Sequence, residues 1–129
     1  MPLARIDLVA GKSADYRRTI SDVIYDAMIE TLKAPKDDRF QIFTEHAPDC
    51  QIADESYLGI KRSKDCIIIQ LFLNQGRTVE QKRKFYEAVT EGLHARLGLR
   101  RQDVFIGLVE VAKENWSFGN GEAQYADPS

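Results

Sequence analysis

The chain has 129 residues, 43% of them hydrophobic and 29% charged, which is an ordinary composition for a single soluble globular domain. Its net charge of −2, from 18 basic and 20 acidic residues, lacks the basic excess typical of nucleic-acid binding. No apolar stretch reaches membrane-spanning length, residues 1–25 have no signal-peptide pattern, and two cysteines make no disulfide framework. We therefore expect one domain, residues 1–129, in the cytoplasm, with no nucleic-acid or membrane partner.

The first half of the chain predicts a strand, a helix and a second strand. Residues 3–9 (LARIDLV) have the composition of a strand, and Gly11 then turns the chain. Ser13 is a suitable N-cap for a helix whose apolar residues recur at helical spacing until Pro35 ends it. A second strand is predicted at residues 40–45.

The second half predicts the same three elements in the same order. Residues 66–73 (CIIIQLFL) form the most apolar predicted strand, in which Cys66 is interpreted as a buried thiol. Cys50, by contrast, lies in a predicted loop. Residues 78–81 (TVEQ) form a capping box that starts a second helix, and residues 104–111 predict a fourth strand.

The two halves match at a constant offset of 65 residues, the difference between the numbers in each matched pair. The pairs are Gly11 with Gly76, Lys12 with Arg77, Ser13 with Thr78, Asp38 with Asp103, Phe40 with Phe105 and Glu45 with Glu110. Two tandem β-α-β units, residues 2–45 and 66–111, therefore predict an α/β (α+β) fold, a four-stranded sheet with both helices on one face. Residues 112–129 are left as a pocket or interface segment.

The other face of this sheet has no predicted helix to pack against it, so another chain must cover it. The strand at residues 66–73 is apolar at nearly every position, and such strands are usually covered on both faces. Because no third helix is predicted, we expect homo-oligomerisation to supply the cover.

Pro2 is the first candidate for a catalytic residue. Removal of Met1 would give Pro2 a free secondary amine, which acts as an acid, a base or a nucleophile according to its pKa. The alternative is that Pro2 is merely tolerated as the first residue of a strand.

Several short stretches, in order along the chain, resemble the tautomerase superfamily and, within it, the malonate semialdehyde decarboxylases. They are residues 2–8 (PLARIDL), 35–41 (PKDDRFQ), 58–59 (LG), 76–82 (GRTVEQK) and 115–121 (NWSFGNG). The resemblance implies a homotrimer with the amino-terminal proline in a pocket, no metal and no cofactor. It also implies that the proline acts as a neutral base in tautomerases and as a cation in decarboxylases and hydratases.

The resemblance gives roles to two charged residues. Asp38 matches an acidic residue that activates water or supports the charged proline, although it could simply end a loop with Arg39 as its ion-pair partner. Arg77 matches the anchor of a substrate carboxylate, to which its guanidinium offers a planar fork beside a helix N-terminus. A solvent-facing turn arginine is the alternative. Lys12, the repeat partner of Arg77, is a second cation that need not share its pocket.

The chain departs from the family pattern at residues 74–77 (NQGR), where members with two arginines have an Arg-x-Arg pair. Asn74 can hold a carbonyl group or a water molecule, but it adds no charge. Binding of a substrate carboxylate would therefore depend more heavily on Arg77.

Aromatic residues near the end of the chain complete the candidate site. Trp116 and Phe118 resemble the family's apolar pocket wall and Tyr125 extends it, with core or interface packing as the alternative. His46 and His94 have no partners at ligand spacing, so no metal site is expected.

Three functions stay open at this point. The first is a cofactor-free, proline-based lyase: a decarboxylase or hydratase of a small 3-oxo acid such as malonate semialdehyde. The second is an isomerase, a keto–enol tautomerase of 2-oxo acids such as phenylpyruvate, with Pro2 as its base. The third is a non-enzymatic, ferredoxin-like ligand-binding module. That fold needs strands two and three as close neighbours, whereas about twenty residues separate Glu45 from Cys66.

Overall fold

The computed structural model describes residues 2–126, in which four strands and two long helices follow one another in the predicted order. The strands are β1 (Leu3–Val9), β2 (Gln41–His46), β3 (Ile67–Asn74) and β4 (Val104–Val111), and the helices are α1 (Ala14–Leu32) and α2 (Val79–Leu97). Strands β2 and β3 each lie one residue later than predicted. Neither helix of the described residues is long and apolar enough to cross a membrane.

The strands form one mixed sheet in the order β2-β1-β3-β4. Each β-α-β unit contributes a parallel pair, β1 with β2 and β3 with β4, and the two units join through the antiparallel pair β1–β3. Because β1 separates β2 from β3, the ferredoxin-like alternative, which needs those two strands side by side, is wrong.

The helices and the helix-facing side of the sheet enclose the core. Alternate residues of β1 and β3 point into it, and they meet apolar side chains from both helices. The fully buried members include Ile6, Ile69, Leu71, Ile20, Ile24, Phe85 and Leu93. Each such side chain stabilises the fold by roughly 1.5–3 kcal/mol relative to exposure. Both helices therefore cover the same face, as predicted.

The opposite face of the sheet has no helix over it. Ile42 on β2 and Phe105 on β4 are 41% and 47% exposed, and Ile68 and Phe72 of β3 lie between them, partly exposed. On this face Gln70 and Asn74 are the polar residues of β3. Exposed apolar side chains in this number, although Arg5, Asp7 and Gln70 lie among them, are typical of an association surface.

Both helix starts have the predicted caps. The Ser13 side chain accepts a hydrogen bond from the Tyr16 amide, and Thr78 and Gln81 exchange the two bonds of a capping box. The turns before these helices are also alike, since Gly11 and Gly76 both have φ of 121°, a region that favours glycine. The repeat seen in the sequence is thus a repeat of backbone geometry.

The two cysteines lie as expected from the sequence. Cys66 is buried, and burial raises the pKa of its thiol. Cys50 is exposed in a short helical turn, Pro48–Cys50, and neither cysteine forms a disulfide.

Candidate active site

Four of the predicted site residues lie at one end of the sheet. Pro2 precedes β1 at this end, and Asp38 precedes β2, which runs parallel to β1. Asn74 ends the antiparallel strand β3, so it reaches the same end, and Arg77 follows in the turn before α2. The β1–β3 register pairs Leu3 with Phe72, and its continuation brings Pro2 alongside the residue before Asn74.

Pro2 lies in the wall of an apolar cavity of about 220 Å³. The cavity is lined by Pro2, Leu3, Phe40, Trp116, Ser117 and Phe118. Its volume is below the roughly 300–1,000 Å³ typical of sites for drug-sized ligands. The cavity therefore suits a small molecule. Asp38, Arg77 and Tyr125 are not among its lining residues.

Asp38 carries a buried carboxylate oxygen without a partner. Its Oδ1 atom accepts no hydrogen bond from any group within residues 2–126. Loss of hydration raises the pKa of the Asp38 carboxyl above its ordinary value. An unpaired, partly desolvated carboxylate oxygen can accept a proton or stabilise a neighbouring cation.

The residues on both sides of Asp38 are held against α1. The Asp37 amide donates to the Tyr25 hydroxyl at 2.8 Å, with Asp37 in the left-handed region at φ of 61°. Arg39 donates to Asp22 at 2.8 Å and lies over the Tyr25 ring, 3.9 Å from its centroid. The expected Arg39–Asp38 ion pair is therefore wrong, because α1 supplies a better-placed carboxylate and an aromatic face for the guanidinium.

Asp103, the repeat partner of Asp38, accepts hydrogen bonds with both of its carboxylate oxygens. Asp103 is completely buried, and its two oxygens accept from the Ser63 amide and hydroxyl, each at 2.6 Å. Asp103 thus anchors the loop before β3. Within residues 2–126 Asp38 has no comparable anchoring bonds, which argues against the alternative that it only ends a loop.

Arg77 is fixed by two backbone carbonyls. Its Nε donates to the Leu32 carbonyl and its Nη1 to the Asn74 carbonyl, both at 3.2 Å. A guanidinium has five N–H donors, so three remain for a ligand. No carboxylate of residues 2–126 forms an ion pair with Arg77, since Glu110 bonds Lys82 at 2.7 Å. The Lys82 hydrogen bond is the main reason that the pKa of Glu110 is lowered, and the Arg77 charge adds to it.

Lys12 lies at the opposite end of the sheet, because β1 runs away from Pro2 before it reaches this turn. There Lys12 pairs with Asp65 at 3.1 Å and lies over the Tyr16 ring. The second cation suggested by the repeat is thus in a different environment and is already neutralised.

The predicted aromatic wall is continuous. Trp116 stacks on Phe118 with 5.5 Å between ring centroids, and Tyr125 meets Phe118 edge-on at 4.9 Å. A contact that the sequence did not predict fixes this wall, since the Trp116 indole Nε1 donates to Asn74 Oδ1 at 2.7 Å. The Asn74 oxygen thus already accepts one hydrogen bond, and its Nδ2 group remains a donor for a substrate.

Two protein-family models, each described as "Tautomerase enzyme", match the sequence. One matches residues 38–119 and the other residues 2–59. A probable tautomerase of Bacillus subtilis, YusQ, is 39% identical, with the match covering 96% of this chain and 98% of the relative. The chain belongs to the tautomerase family. A second Bacillus subtilis relative, the probable tautomerase YrdN, is 34% identical over 97% of this chain and 96% of its own length.

Solved structures that share the fold of this chain include two malonate semialdehyde decarboxylases. The FG41 enzyme, inhibited by 3-bromopropiolate, is 46% identical with a TM-score of 0.89, over 96% of this chain and 94% of that one. A second, described for decarboxylase and hydratase activities, is 30% identical with a TM-score of 0.90, over 96% and 95%. A fused 4-OT symmetric trimer, 23% identical with a TM-score of 0.78 over 96% and 98%, shares the fold. The sequence resemblance to the superfamily is confirmed, and the chain is an enzyme of it.

Both histidines of the chain lie within hydrogen-bond distance of another residue. His46 Nε2 lies 2.6 Å from Asp7 Oδ1 on the open face, and His94 Nδ1 lies 3.0 Å from the Leu99 carbonyl. In the described part of the chain, no group of three or more His, Cys, Asp or Glu side chains converges as metal ligands.

Phe40 is a cavity residue that the sequence analysis missed. It is 51% exposed just before β2 and contributes one wall of the Pro2 cavity. The signal was present, because the spacing of Asp38 and Phe40 recurs in Asp103 and Phe105. By itself, that recurrence indicates only that the two halves of the chain are repeats.

We expect substitutions of the two repeat-related aspartates to differ in their effects on stability. Asp103→Asn should lower the free energy of unfolding by about 1.5–3 kcal/mol, because it disrupts charge-assisted bonds in a buried site. In protein that retains Met1, where Pro2 carries no charge, Asp38→Asn should not lower it at pH 7. The folded state raises the pKa of Asp38, so its charged form costs stability as the pH rises above the ordinary value of 3.8.

Urea unfolding of both variants and the wild type at pH 4, 5.5 and 7 measures this difference. The stability gain of Asp38→Asn over the wild type should grow as the pH rises. Equal destabilisation by the two substitutions at pH 7 would show that Asp38 is a structural anchor like Asp103.

Proposed function

We propose that this chain is a cofactor-free decarboxylase of a small 3-oxo acid of the malonate semialdehyde type, with hydration as its related activity. The observation that carries this proposal is Asp38 Oδ1, a buried atom at the Pro2 end of the sheet that accepts no hydrogen bond from residues 2–126. A negative charge there raises the pKa of the Pro2 amine and favours its cationic form. The similarity to two malonate semialdehyde decarboxylases supports the same branch of the family.

In this reaction Arg77 binds the substrate and Pro2 stabilises the charge that develops on it. Arg77 holds the substrate carboxylate through its three remaining N–H groups and the adjacent N-terminus of α2. The Pro2 ammonium, freed by removal of Met1, donates a hydrogen bond to the aldehyde oxygen. When the bond between the carboxylate carbon and C2 breaks, its electron pair forms the enolate, and CO₂ leaves. Pro2 stabilises the enolate oxygen, and addition of a proton to C2 gives acetaldehyde.

The apolar wall excludes water from the site, and Asp38 supports the Pro2 ammonium or a water molecule. Trp116 and Phe118 exclude water from the cavity, which strengthens the interaction between the Pro2 cation and the developing enolate. Asp38 offers its free oxygen to the ammonium in decarboxylation and to a water molecule in hydration.

The alternative activity is keto–enol tautomerisation of a 2-oxo acid such as phenylpyruvate. The two Bacillus subtilis relatives, both probable tautomerases, favour it. The apolar surroundings of Pro2 would support it by lowering the pKa of the amine until Pro2 is a neutral base. The charge state of Pro2 therefore separates the two activities.

The first test concerns the Pro2 nitrogen. In protein whose intact mass shows that Met1 is removed, ¹⁵N NMR titration should give a Pro2 pKa above neutral, and Asp38→Asn should lower it. Pro2→Ala should reduce kcat for acetaldehyde formation by about 10²–10⁴-fold, the usual contribution of an acid–base group. A Pro2 pKa below neutral would favour the tautomerase, and full activity with Met1 attached would exclude any role for the amine.

The second test concerns carboxylate binding. Arg77→Ala should lower kcat/KM by about 10- to 100-fold, mainly through KM, because it removes charged hydrogen bonds to the substrate. Arg77→Lys should retain part of the affinity, since the charge stays but the planar fork is lost. Lys12→Ala is the matched control from the other half of the repeat and should have no effect. An unchanged KM in Arg77→Ala would contradict the anchor role.

We also propose that the enzyme is a homotrimer whose subunits cover the open face of each sheet. The exposed apolar residues of that face support this, as does the shared fold with fused 4-OT trimers. Native mass spectrometry should show a trimer that Phe105→Lys, on the open face, converts to smaller species. Tyr86→Lys, an exposed position on α2, should leave the trimer intact. A trimer unaffected by Phe105→Lys would place the interface elsewhere.

A further inference from the structure

Two residues of opposite charge lie beside Pro2 at the start of β2. The Ala4 amide donates to the Phe40 carbonyl at 3.0 Å, which extends the parallel β1–β2 ladder toward the start of the chain. The same register, continued by two residues, brings Pro2 alongside Arg39, with Asp38 next to it in sequence. A carboxylate raises the pKa of a neighbouring amine, and a guanidinium lowers it. The charge state of Pro2 therefore depends on which of the two side chains is balanced elsewhere.

Helix α1 balances the charge of Arg39. The Arg39 Nη1 atom donates to Asp22 Oδ1 at 2.8 Å and to Ser21 Oγ at 3.2 Å. The guanidinium also lies over the Tyr25 ring, 3.9 Å from its centroid. Ser21, Asp22 and Tyr25 thus hold the guanidinium from one face of α1, and Asp22 is the carboxylate that pairs with it.

The start of β2 is fixed to the same part of α1. The Ser21 hydroxyl donates to Gln41 Oε1, and Gln41 Nε2 donates to the Ser21 carbonyl at 3.2 Å. Gln41 lies two residues after Arg39, so the backbone that carries Arg39 is held next to its helix partners. The contact between Arg39 and Asp22 therefore follows from the packing of β2 against α1.

The Asp38 carboxylate has no such partner. Its Oδ1 atom is buried and accepts no hydrogen bond from residues 2–126. Arg39, the cation next to Asp38 in sequence, is paired with Asp22 instead. If Arg39 turned to Asp38, the two charges would offset each other beside Pro2.

We propose that Asp22 is a positioning residue that holds Arg39 against α1 and thereby leaves the Asp38 carboxylate free to act on Pro2. The inference rests on the proposed function, in which a negatively charged Asp38 favours the Pro2 ammonium. Asp22 lies on α1 and does not line the Pro2 cavity, so it acts through Arg39.

The pair between Asp22 and Arg39 can be removed without unfolding the protein. The two side chains are 39% and 38% exposed, and ion pairs with this exposure contribute little to stability. A change in the properties of Pro2 after substitution of Asp22 then reports on charge at the site. Urea unfolding of each variant checks that the fold is retained.

The first measurement is the Pro2 pKa of Asp22→Asn, by ¹⁵N NMR titration of protein without Met1. It should fall by roughly 0.5, which is an about threefold weaker binding of the proton, because Arg39 is released toward Asp38. The high-pH limb of the kcat profile for acetaldehyde formation should move to lower pH by the same amount.

The double variant Asp22→Asn/Arg39→Gln separates this role from a structural one. It removes the released cation together with its partner, so the Pro2 pKa should return to the wild-type value. A purely structural role of Asp22 predicts the opposite, since two lost contacts should disturb the site more than one. Failure of Arg39→Gln to restore the Pro2 pKa would overturn the inference.

The Asp38→Asn background tests whether the effect passes through Asp38. Without that carboxylate, Asp22→Asn should have little further effect on the Pro2 pKa. An effect as large as in the wild-type background would show that Arg39 acts on Pro2 directly, which contradicts the inference.

Glu91→Gln is the matched control. It removes one negative charge and breaks an exposed ion pair, that of Glu91 with Arg101 at 2.7 Å, and it should leave the Pro2 pKa unchanged. If Asp38→Asn lowers the Pro2 pKa and Asp22→Asn does not, the inference fails and the proposed function stands. If Asp38→Asn leaves the Pro2 pKa unchanged, the proposed function itself loses its support.

Discussion

The antiparallel pairing of β1 with β3 determines which end of the sheet carries Pro2, Asp38, Asn74 and Arg77. It joins two parallel β-α-β units head to tail, so the start of β1 and the end of β3 meet at the same edge of the sheet. Pro2 and Asn74 are brought together by this pairing alone. Asp38 reaches the same edge because β2 is parallel to β1, and Arg77 because it follows β3 directly. The catalytic proposal thus depends on a strand register fixed by the buried residues of β1 and β3.

The same symmetry places equivalent groups at the opposite end, where they have a structural role. Lys12 forms an ion pair with Asp65, and both oxygens of Asp103 accept hydrogen bonds from Ser63. At the Pro2 end, Arg77 keeps free donors and Asp38 keeps a free oxygen. The two turns have the same geometry, but the charged groups at one end form stabilising bonds within the protein, whereas those at the Pro2 end can still bind a ligand. An unsatisfied buried polar group costs stability, and the presence of a free Asp38 oxygen at the same end as an arginine with free donors is what favours a site there.

The sequence predicted the parts of this molecule that depend on neighbouring residues. The helix caps, the strand positions to within one residue, and the repeat all follow from local patterns and were found. Contacts between distant residues could not be predicted. Arg39 was assigned to its neighbour Asp38, but Asp22 on α1 lies closer to its guanidinium in the folded chain. The bond between Asn74 and Trp116 likewise joins residues whose proximity depends on the complete sheet and on the path of the terminal segment.

Joining both β-α-β units in one polypeptide has a consequence for how such an enzyme can change over evolutionary time. If the units were separate copies from one gene, every mutation would be inherited by both ends of the sheet at once. Here residue 38 and residue 103 are encoded independently, as are residues 12 and 77. One half can accept substitutions that alter reactivity while the other preserves the scaffold. Divergence of substrate preference is then possible without loss of the fold.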